Sequence, residues 1–509
     1  MSRDAPSSKG PFVDKASASE VQPLASVTSF ESTLVLSKDV SLTLDGESLI
    51  VSAARSKHKS SRNCCCRFPF HTSGQRSRRV IPTFNVLWAD ISQGYITIKY
   101  AHPKSKVDVT VRSVYYPVSE EQTPKAETWA QRLLDVAYGE AQRQKRIKIL
   151  INPAGGRGRA KTLYYKHAEP IFAAARCEID VEITTHQGHA TEIAEKLDID
   201  AFDVIVPCSG DGLVYEVFNG LGKRPNAAEA LGKIAVTHLP CGSGNAMSWN
   251  LNGTGSVSMA ALCIVKGLRM PLDLVSITQG GRRHLSFLSQ SYGIVADSDL
   301  GTDDLRWMGA FRFTYGFLVR LFGKTVYPCD IAIKVEMDDK QRIKDHYKAE
   351  IQKRLSSHSR EEVGPSGGLP PLKYGTVTDP LPEGWELIPH DKLGNFYAGK
   401  MAFMAQDANF FPAALPNDGL LDLVIIRGDI SRSTAFQMML TVEDGTLFDM
   451  PQVTVKKISG YRLIPKRREG FISIDGEKIP FEPFQAEVHR GLGTVLSRSG
   501  YRYEAKGVA

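Results

Sequence analysis

Pro207-Cys-Ser-Gly-Asp-Gly-Leu-Val214 follows the apolar run Val204, Ile205, Val206. A strand that ends in Ser-Gly-Asp-Gly delivers a carboxylate, Asp211, onto a tight turn. The flanking Gly210 and Gly212 let the backbone approach a phosphate without a side-chain clash. Two more glycine turns, Asn152-Pro-Ala-Gly-Gly-Arg-Gly-Arg-Ala160 and Pro240-Cys-Gly-Ser-Gly-Asn-Ala246, also follow short apolar runs. One such turn is an ordinary strand-to-helix connection. Three in order, between residues 152 and 246, point to a nucleotide phosphate site.

Around these turns the pattern is strand, turn, helix. Ile147–Ile151, Val181–Thr184, Asp203–Val206 and Ile234–Leu239 read as strands, and His189–Leu197 as an intervening helix. This alternation predicts an α/β nucleotide-binding domain over residues 145–275. Beyond it helices thin out and strands such as Leu420–Ile426 and Phe471–Ile474 dominate. Residues 276–505 are therefore expected to form a mainly antiparallel β-sandwich domain. Within it, 338–392 reads as a disordered insertion: a charged helix at Lys340–Leu355, then Gly364-Pro-Ser-Gly-Gly-Leu-Pro-Pro371. Residues 1–28, rich in Ser, Ala and Pro, are expected to be disordered. Between 29 and 142, short β-patterned runs at Ser32–Ser37, Ser41–Leu44, Ser48–Ser52, Phe84–Trp88 and Tyr95–Tyr100 precede a helix near Ala126–Gln142. Strands closed by one helix make a β-rich module that fits a pleckstrin-homology-like shape.

A chain of 509 residues accommodates two or three domains. The net charge of +7 is unevenly placed: Arg55 to Arg79 holds eight basic residues and no acid. Such a stretch is either a solvated loop or a surface drawn to an anionic membrane. Cys64, Cys65 and Cys66 are adjacent, which suits neither a zinc site nor a disulfide framework. Beside Arg62, Arg67 and Phe68 they are candidates for S-palmitoylation. No signal segment and no uncharged apolar run of about 18 residues is found. A cytoplasmic protein, peripheral at a membrane, is expected. No nucleic-acid partner is expected, and nothing in the sequence fixes the oligomeric state.

The three glycine turns, in this order, resemble the lipid-kinase superfamily of sphingosine, ceramide and diacylglycerol kinases. Gly293-Ile-Val-Ala-Asp-Ser-Asp-Leu300, Arg306, Met308-Gly309 and Phe311-Arg-Phe-Thr-Tyr-Gly316 are similar to the sphingoid-binding segment of sphingosine kinases. Asp418-Gly-Leu-Leu-Asp422 and Ile472-Ser-Ile-Asp-Gly-Glu477 fit later blocks of the same family. The N-terminal region with its cysteine cluster resembles fungal long-chain-base kinases.

That resemblance implies an ATP- and Mg2+-dependent kinase acting on the primary hydroxyl of a sphingoid base at a membrane surface. It makes Asp211 the catalytic base, although an aspartate on a turn also serves as a local cap. It places the nucleotide on Asn152, Gly155, Gly156, Gly158, Thr184, Ser209, Gly210, Gly212, Gly242, Ser243, Gly244 and Asn245. Arg306 and Arg312 would clamp phosphate oxygens. Asp475, Gly476 and Glu477 would complete the nucleotide site, with Glu477 as the magnesium ligand. Asp299, with Asp297 as its neighbour, would hold the lipid ammonium, and Trp307, Phe311 and Phe313 would line the tail channel. Gln187 stands where sphingosine kinases often carry arginine, and Glu216 is either helix surface or an orienting group. Ceramide or diacylglycerol kinases of the same fold, and a catalytically dead lipid-binding scaffold, are the rival readings.

Overall fold

The computed structural model describes residues 32–54, 76–301, 325–356 and 367–508. Burial alternates along the first strand, β1 (Thr33–Ser37): Leu34 and Leu36 point inward and Val35 outward. β1, β2 (Val40–Asp45), β3 (Ser48–Ala54) and β4 (Arg76–Pro82) form an antiparallel sheet in sequence order. β5 (Val86–Ser92), β6 (Tyr95–Pro103) and β7 (Val109–Pro117) form a second. The helix α1 (Thr123–Tyr138) closes the module with Ala126, Trp129, Ala130, Leu133 and Leu134 on its buried face. Val136, though apolar, faces solvent on the opposite side. Four strands, three strands and a helix, in that order, make up the expected β-rich module.

The α/β domain runs β8 (Arg146–Ile151), α2 (Gly155–Gly158), α3 (Ala160–Leu163), α4 (Glu169–Ala174), β9 (Glu178–Ile183), α5 (His189–Lys196), β10 (Val204–Ser209), α6 (Asp211–Gly222), α7 (Ala227–Lys233), β11 (Ala235–Val236), β12 (Leu239–Pro240), α8 (Ala246–Asn252) and α9 (Val257–Val265). β9, β8, β10 and β11 lie side by side in that order, all parallel. Both faces of β10 are buried, as helices on either side of a parallel sheet require. The expected single strand Ile234–Leu239 is instead two short ladders. His238 lies between them, with Nε2 2.9 Å from the Ser209 carbonyl oxygen.

The N-terminal module and this domain share one apolar core, continuous from Trp129 and Leu133 through Ile147 to Leu262 and Ile264. Polar groups stitch the same boundary. Lys266 donates to the carbonyls of Val86 and Ala137 and sits 3.5 Å from the Tyr138 ring centroid. Asp108 accepts from Ser256 Oγ (2.7 Å), and Ser258 Oγ accepts from the Val109 amide (3.1 Å).

Next come β13 (Leu268–Gln279), β14 (Arg282–Ser286), β15 (Ser289–Gly293), α10 (Ile294–Leu300), β16 (Cys329–Met337), α11 (Lys340–Ser356), β17 (Ile388–His390), β18 (Leu393–Gly399), β19 (Phe403–Ala405), β20 (Ala408–Asn409), β21 (Leu421–Arg427), α12 (Arg432–Thr441), β22 (Val453–Pro465), β23 (Ile472–Ile474), β24 (Glu477–Ile479) and β25 (Phe484–Ser497). They pair mainly antiparallel around Tyr292, Phe396, Tyr461 and Phe484. The boundary expected at residue 275 is no break in the sheet. β25 pairs with β22 near its start, and its Thr494 and Val495 pair in parallel with Ala235 and Val236 of β11.

The disordered insertion expected at 338–392 is corrected for its described parts. α11 packs Ile343 into the core. Residues 367–387 have little regular structure, yet their backbone is held by buried side chains. Glu487 accepts from the amides of Lys373 and Tyr374 (2.9 Å each), and Gln485 donates to the carbonyls of Tyr374 and Gly375 (2.9 Å each). Arg462 donates to the carbonyls of Thr376 and Asp379. Proline- and glycine-rich composition signals the lack of a ladder, and says nothing of whether side chains elsewhere satisfy the backbone.

His489, on β25, sits in the same layer. Its Nε2 is 2.9 Å from Ser276 Oγ and 3.1 Å from Arg283 Nη2, with Glu487 Oε1 at 3.5 Å. Burial first, then the Arg283 charge, push it down to about 4 from an ordinary 6.5. The folded chain therefore resists protonation that the unfolded chain accepts. The stabilisation is complete above pH 6.5 and is lost as pH falls toward 4, reaching about 2 kcal/mol at pH 5. Denaturant unfolding at pH 7 and 5 should show that loss in the wild type and a smaller one in His489→Gln.

Candidate functional site

The three glycine loops leave the carboxyl ends of β8, β10 and β12. β8 leads to β9 on one side and β10 lies on the other, so the chain reverses direction across the sheet between β8 and β10. That crevice is where open α/β sheets bind ligands. Asn152 shapes the first loop: its Oδ1 accepts from the Ala154 amide (3.0 Å) and its carbonyl from the Gly155 amide (3.0 Å). Gly156 has φ +57°, and a methyl group built there would stand 2.1 Å from the Cys241 carbonyl oxygen. Gly242 packs on Gly210, where a built methyl would lie 2.2 Å from Cα. The first loop thus rests on the third, and the third on the second. Gly158 closes the first loop at φ +75°, and Ser209 is buried beneath Gly155. Asn245 closes the third by pairing both ends of its amide with the Gly242 backbone (3.0 Å each), leaving Ser243 and Gly244 exposed. Thr184 sits at the end of β9, but its hydroxyl turns back to the Ile151 carbonyl (3.4 Å) and its side chain is buried.

Asp211 is the first residue of α6 and only 9% exposed. Its two carboxylate oxygens accept from the first two amides of α8, Ala246 (2.8 Å) and Met247 (3.0 Å). It is therefore a cap, though of a helix distant in sequence. A carboxylate offers about four acceptor sites, so capacity toward the cleft remains. Behind it, His238 is fully buried, and its Nδ1 lies 3.7 Å from Asp211 Oδ1 with no hydrogen-bond partner. Burial holds this imidazole below its usual range, against the pull of Asp211. Sequence reading missed His238, because nothing in Thr-His-Leu-Pro marks it as facing the Asp211 turn.

The turn at 475–477 brings the β domain to this place. Asp475, expected at the nucleotide, is instead buried. It accepts from Ser286 Oγ (2.6 Å) and the amides of Phe287, Leu288 and Ser289 (2.9 Å each). Burial pushes it up to about 6 against those four donors. Its work is to fix the β14–β15 turn. Glu477 faces the cleft: a methyl built on Gly212 would meet its Oε1 at 2.4 Å. Gly476, at φ +84°, lies beside Asp299, whose Oδ2 is 3.9 Å from a methyl built there. Asp297 does not share that position. It accepts from the Tyr327 hydroxyl (2.8 Å), because residues two apart on a helix face different ways.

A cavity of about 440 Å3 opens beside Glu477 and runs along one face of α6, past Tyr215, Glu216, Asn219 and Lys223. Gln187 and Gly188 line one side, and Arg282 and Leu285 the other. Glu216 also accepts from the Ala190 amide (3.1 Å), which fixes the start of α5 and makes it an orienting group. The helical spacing 215, 216, 219 was readable in the sequence; the β14 wall was not. Arg306, Trp307, Phe311, Arg312 and Phe313, and also Cys64, Cys65 and Cys66, lie outside the described residues. Among the described residues no helix is long and apolar enough to cross a membrane, and no three His, Cys, Asp or Glu gather as a metal cage.

Residues 146–277 match the diacylglycerol kinase catalytic domain. Residues 397–497 match the YegS C-terminal NAD kinase beta sandwich-like domain, and 32–139 a domain of unknown function, DUF7493. The chain is 35% identical over 463 residues to sphingoid long chain base kinase 5 of Saccharomyces cerevisiae, covering 80% of this chain and 67% of that one. It is 35% identical over 425 residues to sphingoid long chain base kinase 4 of Schizosaccharomyces pombe (82% and 88%) and 29% identical over 371 residues to human sphingosine kinase 1 (70% and 92%). A crystal structure of a diacylglycerol kinase from Bacillus anthracis aligns with TM-score 0.47 at 17% identity, over 69% of this chain and 97% of that one.

Proposed function

The chain belongs to the family of sphingoid long chain base kinases, and from that premise we propose that it transfers the γ-phosphoryl group of ATP to the primary hydroxyl of a sphingoid base. The observation that carries this reading is the placement of Asp299. The fold brings it to the Gly476–Glu477 turn, and that turn abuts Gly212 and hence Asp211. A carboxylate that can pair with a primary ammonium thus stands beside a crevice built for phosphate.

In this reading the glycine loops hold the phosphates with backbone amides. Asp211 accepts the proton of the attacking hydroxyl on a carboxylate oxygen turned to the cleft. Its bonds to α8 keep it from swinging away as the lipid arrives. Asp299 fixes the amine end, so the hydroxyl is presented in line. Such positioning supplies most of the catalysis that phosphoryl transfer needs. Glu477 suits a magnesium ion that arrives with the nucleotide, since that ion takes one or two protein carboxylates alongside phosphate oxygens and water. Bound there, it would neutralise phosphate charge. We also propose that the basic and cysteine stretch at 55–79 holds the enzyme at a membrane, where its substrate resides.

The test is transfer of labelled phosphate from ATP to dihydrosphingosine, ceramide and diacylglycerol, with wild type and Asp299→Asn. Label should appear on the free base. Asp299→Asn should raise the KM for that base at least tenfold, with the KM for ATP little changed. Label on ceramide or diacylglycerol, indifferent to Asp299, would move the chain to the sister activities. No label on any lipid would favour the scaffold.

A further inference from the structure

Residues 367–382 cross from one lobe to the other. On the nucleotide side, the Gly367 carbonyl accepts from the Ala228 amide of α7 (3.1 Å), and Leu369 closes the far end of the cavity beside Gly222. On the β-domain side, Glu487, Gln485 and Arg462 hold residues 373–379, and the Val377 amide donates to Thr278 Oγ1 (3.1 Å). Tyr374 packs on Trp385 with ring centroids 5.1 Å apart. Four buried or half-buried anchors on β13, β22 and β25 therefore grip a segment whose other end forms a cavity wall.

The cavity's orientation follows from its two ends. Glu477 and Gly212 mark the end at the glycine loops, and Leu369, Gly222 and Lys223 mark the other. Between Tyr215 and Lys223 the helix advances about 12 Å, at about 1.5 Å per residue. That span takes a ribose and a base end to end once the phosphates occupy the loops. The volume, about 440 Å3, lies within the range of small-molecule sites. The lining combines the apolar surfaces of Leu285 and Leu369 with the polar groups of Glu216, Asn219, Lys223 and Arg282, as a base and its ribose require.

We propose that residues 367–382 are an interlobe strap that forms the outer wall of the nucleoside pocket, with Leu369 as a positioning residue for the base. This rests on the kinase reading of the site. Both lobes, already joined through β25, are also fastened to this one segment, so part of the crevice wall is built by residues remote from the glycine loops. Leu369 is half-buried and contributes no polar group, so its substitution reshapes the pocket without unpairing a donor or acceptor.

The test uses the full chain and a fluorescent ATP analogue, with turnover on dihydrosphingosine in parallel. Leu369→Trp, which fills the distal end, should weaken nucleotide binding and raise the KM for ATP at least tenfold, leaving the KM for the base unchanged. Leu369→Ala, which cannot clash and serves if the larger residue misfolds, should weaken nucleotide binding severalfold. Nucleotide binding within twofold of wild type in both folded variants would overturn the strap's role while leaving the kinase reading intact. A wild type that binds no nucleotide would overturn both together. Equal increases in the KM for ATP and for the base would mark a general structural effect and overturn the pocket assignment.

Discussion

Asp211→Asn should lower turnover by about 10^2- to 10^4-fold, the usual contribution of a positioned general base. The substitution keeps the shape of the side chain and removes its capacity to take a proton at neutral pH. It also disturbs the cap of α8, since each carboxylate oxygen accepts from one amide, Ala246 or Met247, and the asparagine NH2 that replaces one of those oxygens cannot accept. The lost cap costs about 0.5–2 kcal/mol of stability, enough to shift a melting curve but not to abolish folding. The two effects separate in measurement. A catalytic role predicts a collapse of kcat with nucleotide affinity retained within a few fold. A purely structural role predicts lower stability and weaker nucleotide binding, with kcat of the bound enzyme within tenfold of wild type. The latter result would remove Asp211 from the chemistry.

The second large effect lies far from the crevice. Asp418→Ala should destabilise the chain by about 3–5 kcal/mol, because it strands buried charge. The Asp418 side chain is buried between two lysines, 2.9 Å from Lys400 Nζ and 3.2 Å from Lys457 Nζ. Lys400 also bonds Asp273 (2.6 Å), and Lys457 also bonds Asp422 (2.7 Å). The two lysines hold Asp418 well below the usual carboxylate range despite burial, whereas burial raises Asp273 and Asp422. Asp418 is also the acid that contacts both lysines, so its loss leaves each of them short of a partner. His346 of α11 lies 3.4 Å away and links the inserted helix to the same centre. A loss of this size is a large share of the about 5–15 kcal/mol that holds a typical domain folded. Urea unfolding of Asp418→Ala should show it as a lower midpoint. A loss below about 1 kcal/mol would mean the lysines find other partners or water.

This network gives the block Asp418-Gly-Leu-Leu-Asp422 a physical meaning that motif reading lacked. Its acids face inward to two lysines and, through Lys400 and Asp273, hold β21, β22, the end of β18 and the middle of β13 together. Asp475 is a similar case. In sequence it stands two residues from Glu477 and invites the same role. In the fold, the left-handed turn at Asp475 and Gly476 sends one carboxylate into the β14–β15 backbone and the other toward Gly212. Asp297 and Asp299 part in the same way, one to Tyr327 and one to the 475–477 turn. Adjacent acids on a turn or helix diverge, so a motif names the pair while the fold selects the member.

The α/β alternation, the three loops and their order are legible in the residues alone. These are local properties: apolar runs of strand length, glycines where backbones must touch, and a carboxylate on the turn between. Legible too is the second, strand-rich domain that follows. That β25 joins the two domains in one sheet becomes visible only once the chain is folded. The same is true of Asp211 capping a helix reached 35 residues later, of His238 standing behind it, and of the proline-rich insertion that walls a cavity. Each of these depends on contacts between residues far apart in the chain. Their partners are ordinary carbonyls, amides and side chains whose residue types carry no signal until folding places them together.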